Sequence, residues 1–385
     1  MEIPETLRIG IVCFPHMGGS GVVASEIALW LARQGQDVHL LSTQRPLRIP
    51  EQSAVQVHVI QRTEYPLFTS PLYTLPMASA IVQYTQKFNL QILHIHYAVP
   101  HAVSAYLALQ QLDPQPKLIT TLHGTDVSLM GREPSVHGLT QMALCTCDAL
   151  TTPSQALCKE ARDVFPLLGE RPIQVIENFV DTERFAPISL TDKQSLSRLF
   201  PHSLHPGRIP ILVHLSNFRA VKRPLDVIAV FQKVFAQQPC RLLMVGDGPL
   251  RKDAEQVIAD AGLQHEVHFA GRAEQPERLL PHADLMIVPS EKESFGLAAL
   301  EALSCGLPVI ASDTPGLREL LAHPSYAKST TVGNVQQMAN DTLDWIRNPK
   351  QLRAAQRAAR QRALAFGMKQ NHAQRYLKLY QSLLS

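Results

Sequence analysis

The feature that constrains this chain most is the order in which its first segments alternate. Leu7 to Cys13 reads as a strand, Pro-His-Met-Gly-Gly-Ser-Gly follows it, and the stretch from Val22 to Gln34 has helical spacing. Gly35 ends that stretch, and Val38 to Leu41 returns as a strand. Two strands joined by one helix form a βαβ unit, and such a crossover makes the strands parallel. The alternation continues: strands at Ile92–His96, Lys117–Leu122, Ala149–Thr152 and Ile173–Ile176, with helices at Pro100–Gln111 and Gln155–Val164. Leu67 to Gln83 is apolar and punctuated by proline, and it reads as a loop entering a helix. Composition changes between Ala186 and Arg208, where Pro187, Pro201, Pro206 and Gly207 sit among polar residues. A second series follows, with strands at Ile211–Leu215, Arg241–Val245, Val267–Ala270, Leu285–Val288 and Val309–Ala311. Pro224–Ala236 and Leu250–Ala261 are helical in period, and Asn334 to Ser385 is almost wholly helical. The expected fold class is α/β, with two doubly wound domains facing across a cleft, the first over residues 1–187 and the second over 188–367. Ligands of such sheets sit at the C-terminal ends of the strands.

At 385 residues there is room for two full cores. A net charge of +3 without any block of like charges gives no case for nucleic acid. No apolar run approaches the ~20 residues of a membrane helix, and the acidic start MEIPETLRIG speaks against a signal peptide. The six cysteines show neither CxxC pairs nor disulfide spacing, which fits reduced thiols and a cytoplasmic location.

The most informative stretch is Pro289–Ser312, PSEKESFGLAALEALSCGLPVIAS. Leu297, Leu300 and Leu303 recur at helical spacing, Gly306 and Pro308 stop the helix, and a short buried strand follows. Glu293 stands just ahead of this helix and Glu301 inside it, several ångströms along at ~1.5 Å per residue. The amides of Ser294, Phe295 and Gly296 lie between the two carboxylates at a helix start, a natural anion site. A diphosphate flanked by sugar and ribose hydroxyls satisfies this layout, so a nucleotide sugar is the expected ligand.

Other loops at strand ends carry weaker signals. Gly18, Gly19 and Gly21 let backbone approach a ligand at a helix start, yet the run is not GxGxxG and no acidic residue ends the next strand, which argues against a dinucleotide. A tight turn without ligand is the bland alternative. Ser216 to Arg223 brings Arg219, Lys222 and Arg223 to a strand end, where a point charge and a fork suit phosphates; alone it is a generic basic loop. Gly246-Asp247-Gly248-Pro249 ends a strand and opens a helix, a candidate to line the nucleotide side of the cleft and equally a plain βα turn, and Gly271-Arg272 is similar. His94, His96 and His101 lack a carboxylate that would complete a metal set, so packed histidines are the expected reading and no metal is assigned. His123-Gly124-Thr125-Asp126 closes a strand where catalytic groups gather. GxSxG, P-loop and HExxH motifs are all absent.

Together, GGSG, HGTD, Asn217 to Lys222, GDGPL and Glu293-x7-Glu301 resemble the family 4 retaining glycosyltransferases, whose GT-B fold has two Rossmann-like domains. The resemblance runs from Leu7 to about Leu321. CFPHMGGSGVVASEIA, HIHYAVPHA, TTLHGTDVSLMG, ENFVDTERF and SNFRAVKRP look like the branch that transfers N-acetylglucosamine from UDP-N-acetylglucosamine (UDP-GlcNAc) to the hydroxyl of L-malate, the first step of bacillithiol biosynthesis. The resemblance implies that Glu301 meets ribose hydroxyls and Glu293 the donor sugar. It implies that Ser294, Phe295, Gly296 and Lys222 hold the diphosphate, and that Arg272 lies at the uracil. Gly19, Asn217, Arg219 and Gly246 complete the donor set. His123, Lys222 and Glu293 are the catalytic group, with His123 beside the donor sugar. Many family members carry Arg where this chain has Asn217, and Arg219 is the candidate to supply that fork. Residues 368–385 are implied to pack back on the first domain, with Asn178 to Asp181 at the crossover.

Transfer of this kind is implied to proceed on one face of the sugar, the departing phosphate taking the acceptor proton, with no general base, cofactor or obligatory metal. The acceptor is expected on the first domain, at Gly19, Ser20, Tyr97, Thr121 and Asn178, where helix-start amides suit a carboxylate. The substrates are small molecules, no stable membrane association is expected, and a homo-oligomer stays open. A different sugar or lipid acceptor is the first rival, although a lipid favours a basic helix and Val22–Gln34 has only Arg33. An epimerase of the same fold needs acid/base carboxylates beyond Glu293 and Glu301, and a non-catalytic sensor has no need of all three of Lys222, Glu293 and Glu301.

Overall fold

The structure, a computed structural model, describes residues 6–15, 18–61, 71–189, 199–201, 203, 205, 209–366 and 369–385. His16 and Met17 of the Gly-rich loop, residues 67–70 of the Leu67–Gln83 segment, most of the Pro-rich boundary and residue 368 lie outside these. The chain divides into two compact units, Met1–Asn178 with Gln370–Ser385, and Phe179–Lys369. The break therefore falls ahead of the composition change at Pro187. Val180 and Phe185 are buried in the second unit's core, and the Arg360 guanidinium donates to the carbonyls of Thr182 and Phe185, each at 2.9 Å. Proline marks where the chain becomes polar, whereas packing partners change nine residues earlier.

The first unit holds a seven-stranded, wholly parallel sheet: β1 Arg8–Val12, β2 Asp37–Ser42, β3 Gln56–Val59, β4 Ile92–His96, β5 Lys117–Thr121, β6 Ala149–Thr152 and β7 Ile173–Val175. Their order is β3-β2-β1-β4-β5-β6-β7. β4 is buried along its whole length, His94 and His96 included, as expected of a strand covered on both faces. The helix expected from Val22 begins at Gly19 and runs to Arg33, so Gly19, Ser20 and Gly21 form its first turn. Glycine is a poor helix former, but every residue from Gly21 to Leu31 is buried here and packing overrides propensity. The expected Pro100–Gln111 helix is a wide turn at Ala98–Ala102 followed by a helix over Val103–Leu109. The helix after the 67–70 segment is Thr74–Phe88. The last helix, Lys369–Leu384, belongs largely to this unit, with Tyr376 and Tyr380 fully buried.

The second unit has six parallel strands: β8 Ile211–Leu215, β9 Arg241–Val245, β10 Val267–Gly271, β11 Leu285–Val288, β12 Val309–Ser312 and β13 Ala327–Thr330. They lie in the order β10-β9-β8-β11-β12-β13. Neighbouring residues alternate between two cores: Leu212, Leu242, Ile287 and Ile310 pack with the Pro224–Phe235 helix. Val213, Leu243, Met286 and Val309 pack with the Leu297–Ser304 helix. In both sheets strand order reverses beside the first strand of the unit, between β1 and β4 and between β8 and β11. Open parallel sheets place their ligand crevice at such a reversal, at the C-terminal ends of the strands.

Candidate functional site

In the second unit the crevice is bounded by Ser216–Arg223 after β8 and Ser290–Gly296 after β11. Lys222 Nζ donates to Glu293 Oε1 at 2.6 Å, and the Ser290 hydroxyl donates to the same oxygen at 2.9 Å. The Glu291 amide donates to the Val221 carbonyl at 2.9 Å, tying the loops together. The Lys222 side chain is 24% exposed and that of Glu293 14%, so the pair is desolvated yet reachable. Sequence reading gave these two groups separate duties; the structure adds that they hold each other.

The β8 loop is shaped from below. Phe218 is buried with a φ of 40°, which turns exposed Asn217 and half-buried Arg219 outward on either side of it. His214 Nδ1 donates to the Ile287 carbonyl at 2.9 Å, so Nε2 accepts from the Ser216 hydroxyl at 2.8 Å, and Ser216 Oγ accepts from the Phe218 amide at 3.2 Å. Burial pushes His214 down to about 4, which keeps it neutral in this role. Gly246 and Gly248 are more than a plain turn. A Cβ at Gly246, whose φ is 122°, would lie 1.7 Å from the Ser216 carbonyl oxygen, and one at Gly248 would lie 2.0 Å from that of Asn217. Only glycine lets the β9 loop pass under the β8 loop. The Gly246 amide donates to the Gly271 carbonyl at 2.8 Å, and exposed Arg272 follows directly.

Gly296, with φ 90°, caps the helix Leu297–Ser304, and Glu301 is 5% exposed within it. A Cβ at Gly316 would lie 2.3 Å from the Glu293 carbonyl oxygen, so the first turn of the helix Pro315–Leu320, after β12, presses against the loop after β11. Asn217, Arg219, Lys222, Gly246, Arg272, Glu293 to Gly296 and Glu301 thus all sit on segments following β8, β9, β10 or β11.

In the first unit the corresponding loops follow β1, β4 and β5. Nothing lies within 4 Å of a Cβ placed on Gly18 or Gly19, and Gly19 and half-buried Ser20 stand at the start of their helix. Tyr97, at φ 88°, is hydrogen-bonded through its hydroxyl to Thr125 Oγ1 at 2.5 Å. The fully buried Asp126 carboxylate accepts from the amides of Ala98 (3.0 Å), His123 (3.0 Å) and Gly124 (2.7 Å), and so locks the β4 and β5 loops together. Desolvation raises the Asp126 carboxyl against these amides. His123 Nε2 is 3.0 Å from His96 Nδ1. Loss of solvation pushes His94 and His123 down to about 3 and His101 to about 4, so these rings are neutral. Among the described residues no group of three or more His, Cys, Asp or Glu is placed to hold a metal.

Thr121 is corrected. Its side chain is 1% exposed, and Oγ1 is hydrogen-bonded to His94 Nε2 at 2.7 Å and Thr151 Oγ1 at 2.6 Å, with Tyr376 joining the same pair of threonines. The last residue of β5 points into the core, so Thr121 leaves the acceptor set. Asn178, buried, is the last residue of the unit's first segment. Asp126, Ser290 and His214 escaped the sequence reading. HGTD contained the first in plain view, but buried hydroxyls and imidazoles on apolar strands leave no periodic signal.

Residues 17–184 match the family model described as Glycosyltransferase Family 4, and residues 197–362 match that of Glycosyl transferases group 1. The chain is 35% identical over 343 residues to N-acetyl-alpha-D-glucosaminyl L-malate synthase of Bacillus anthracis, a match spanning 89% of this chain and 88% of that one. The chain belongs to glycosyltransferase family 4. Its fold is correspondingly GT-B: HepE from Anabaena, solved with UDP and glucose, superposes with a TM-score of 0.80 at 21% identity, covering 97% of this chain and 99% of that one. Sucrose-phosphate synthase from Thermosynechococcus elongatus gives 0.80 at 20% identity, covering 98% and 99%. As a family 4 glycosyltransferase, the protein presents the two loops that its second unit brings together at Lys222 and Glu293 as the first place to seek its chemistry.

Proposed function

We propose that this glycosyltransferase transfers N-acetylglucosamine from UDP-GlcNAc to the hydroxyl of L-malate with retention at the anomeric carbon, the first step of bacillithiol biosynthesis. The observation that carries the reading is the Lys222–Glu293 pair at the β8/β11 crevice, in a chain 35% identical to a malate synthase over nearly its whole length. Lys222 and Arg219 neutralise the diphosphate, joined by the backbone of Ser294 to Gly296. Glu293 holds the sugar, Glu301 the ribose hydroxyls, and Arg272 lies by the uracil, with Asn217 and Gly246 lining the donor side. Malate is assigned to Gly19, Ser20, Tyr97 and Asn178.

In the transfer, the bond from the anomeric carbon to the β-phosphate oxygen breaks as that to the malate oxygen forms. The malate proton passes to the departing phosphate, so no protein base is assigned. A neutral His123 suits a hydrogen bond to the donor sugar and is unsuited to acid catalysis near neutral pH. The cationic side chains already offset the diphosphate charge, and no step is routed through a metal. The reading places the enzyme in the cytoplasm; among the described residues all six cysteines are free and no helix is long and apolar enough to cross a membrane.

The test is incubation with UDP-GlcNAc and an acceptor panel of L-malate, glycerol phosphates and simple sugars, reading UDP release and the anomeric configuration of the product. L-malate should stimulate release and yield the α-glycoside. Release indifferent to L-malate would exclude the acceptor and keep the family assignment.

A further inference from the structure

Behind His123 lies a cluster of imidazoles that the proposed transfer does not use. His96, 0% exposed, approaches His123 Nε2 through Nδ1 at 3.0 Å. We propose that His96 is a positioning residue: it donates from Nδ1 and thereby fixes His123 as the tautomer carrying its own proton on Nδ1.

Three observations support this. The backbone at His96 is clamped, because its carbonyl accepts from His101 Nδ1 at 2.7 Å while His101 Nε2 accepts from the Tyr73 hydroxyl at 2.7 Å. The ring is walled in by His94, whose centroid is 4.2 Å away and whose two nitrogens are engaged by Thr121 and by Tyr380, each at 2.7 Å. The third is the state of the remaining nitrogen. His96 Nε2 is buried and has no hydrogen-bond partner among the described residues. In a neutral ring the proton sits on one nitrogen. On Nε2 it would be an orphaned buried N–H and Nδ1 would have to accept; on Nδ1 it is used and only a lone pair is left unmatched. Orphaned buried donors are the rarer case. With Nδ1 of His96 donating, His123 Nε2 accepts, and the His123 proton lies on Nδ1. Resting on the reading that His123 adjoins the donor sugar, this means the sugar oxygen meets an N–H and not a lone pair.

Nitrogen-15 NMR of the full chain labelled at histidine tests the tautomer directly, alongside His96→Asn, His96→Gln and His96→Leu. An asparagine amide nitrogen takes the place of Nδ1, whereas a glutamine nitrogen reaches only that of Nε2. The wild type should show His123 protonated at Nδ1. His96→Asn should keep that tautomer and most of the turnover. His96→Gln and His96→Leu should mix the tautomers and lower kcat by ~10²-fold, the scale of a misplaced catalytic group, leaving KM for UDP-GlcNAc in place. His123 protonated at Nε2 in the wild type overturns the proposal, as does full turnover by His96→Leu or equal loss in His96→Asn and His96→Leu. Should the wild type transfer no sugar, the proposed function fails while the NMR result still decides the tautomer.

Discussion

In the proposed site the Lys222 ammonium is already held beside the loop after β11, at 2.6 Å from Glu293, and does not have to be gathered from solvent. Replacing Lys222 with Ala should lower kcat/KM by ~10²–10³-fold, the range for losing one preorganised charge-stabilising donor. The fold should persist, since the side chain is a quarter exposed, and circular dichroism alongside UDP-release kinetics checks both halves. Two glycines make a contrasting pair. Gly246→Ala drives a Cβ to 1.7 Å from a carbonyl at φ 122°, and unfolding in urea should show a loss of several kcal/mol, among the severe effects of single substitutions. Gly19→Ala meets nothing within 4 Å and lies in a helix, so stability should rise by ~0.5–1 kcal/mol. If Gly19 serves through its accessible backbone, kcat/KM for malate should nonetheless fall. Loss of stability at Gly19 would contradict the helical placement.

Among the elements, the strand ends concentrate buried neutral histidines: His94, His101 and His123 in the first unit, His214 in the second. Each is pushed down to about 3 or 4, against about 6.5 in the unfolded chain. Between those values the unfolded state binds more protons than the folded one, so stability falls as pH drops through that window and levels off below it. Urea midpoints should decrease steeply from pH 7 to pH 5, and a flat profile would contradict neutral burial. The same elements show what the sequence could convey. Strands buried on both faces, such as Leu285–Val288, announced themselves as apolar runs. The edge strands Gln56–Val59 and Ala327–Thr330 did not, because half-exposed edges carry polar residues and lose the pattern. The loops of the proposed donor site were conspicuous because carboxylates, cations and glycines at strand ends have few structural reasons to be there. The acceptor side was not: Thr121 occupies the right strand end, but which way a hydroxyl points is decided by its neighbours.

At the level of the whole molecule, the first unit is assembled from two distant stretches of chain. Tyr380 is hydrogen-bonded to His94 Nδ1 across 286 positions, with its phenol pushed well up by burial. Tyr380→Phe keeps the ring and strips the hydroxyl, leaving a buried imidazole nitrogen unmatched. The first unit should lose ~1–3 kcal/mol, visible as a lowered urea midpoint, while the second unit is untouched. This discontinuity also orders events during synthesis. The ribosome delivers every residue of the second unit before Gln370, so that unit can close while the first still lacks the helix that seats Tyr376 and Tyr380. A nascent chain interrupted just short of that helix would hold a finished second unit joined to an unfinished first, and protein quality control would meet the damage at the end made earliest.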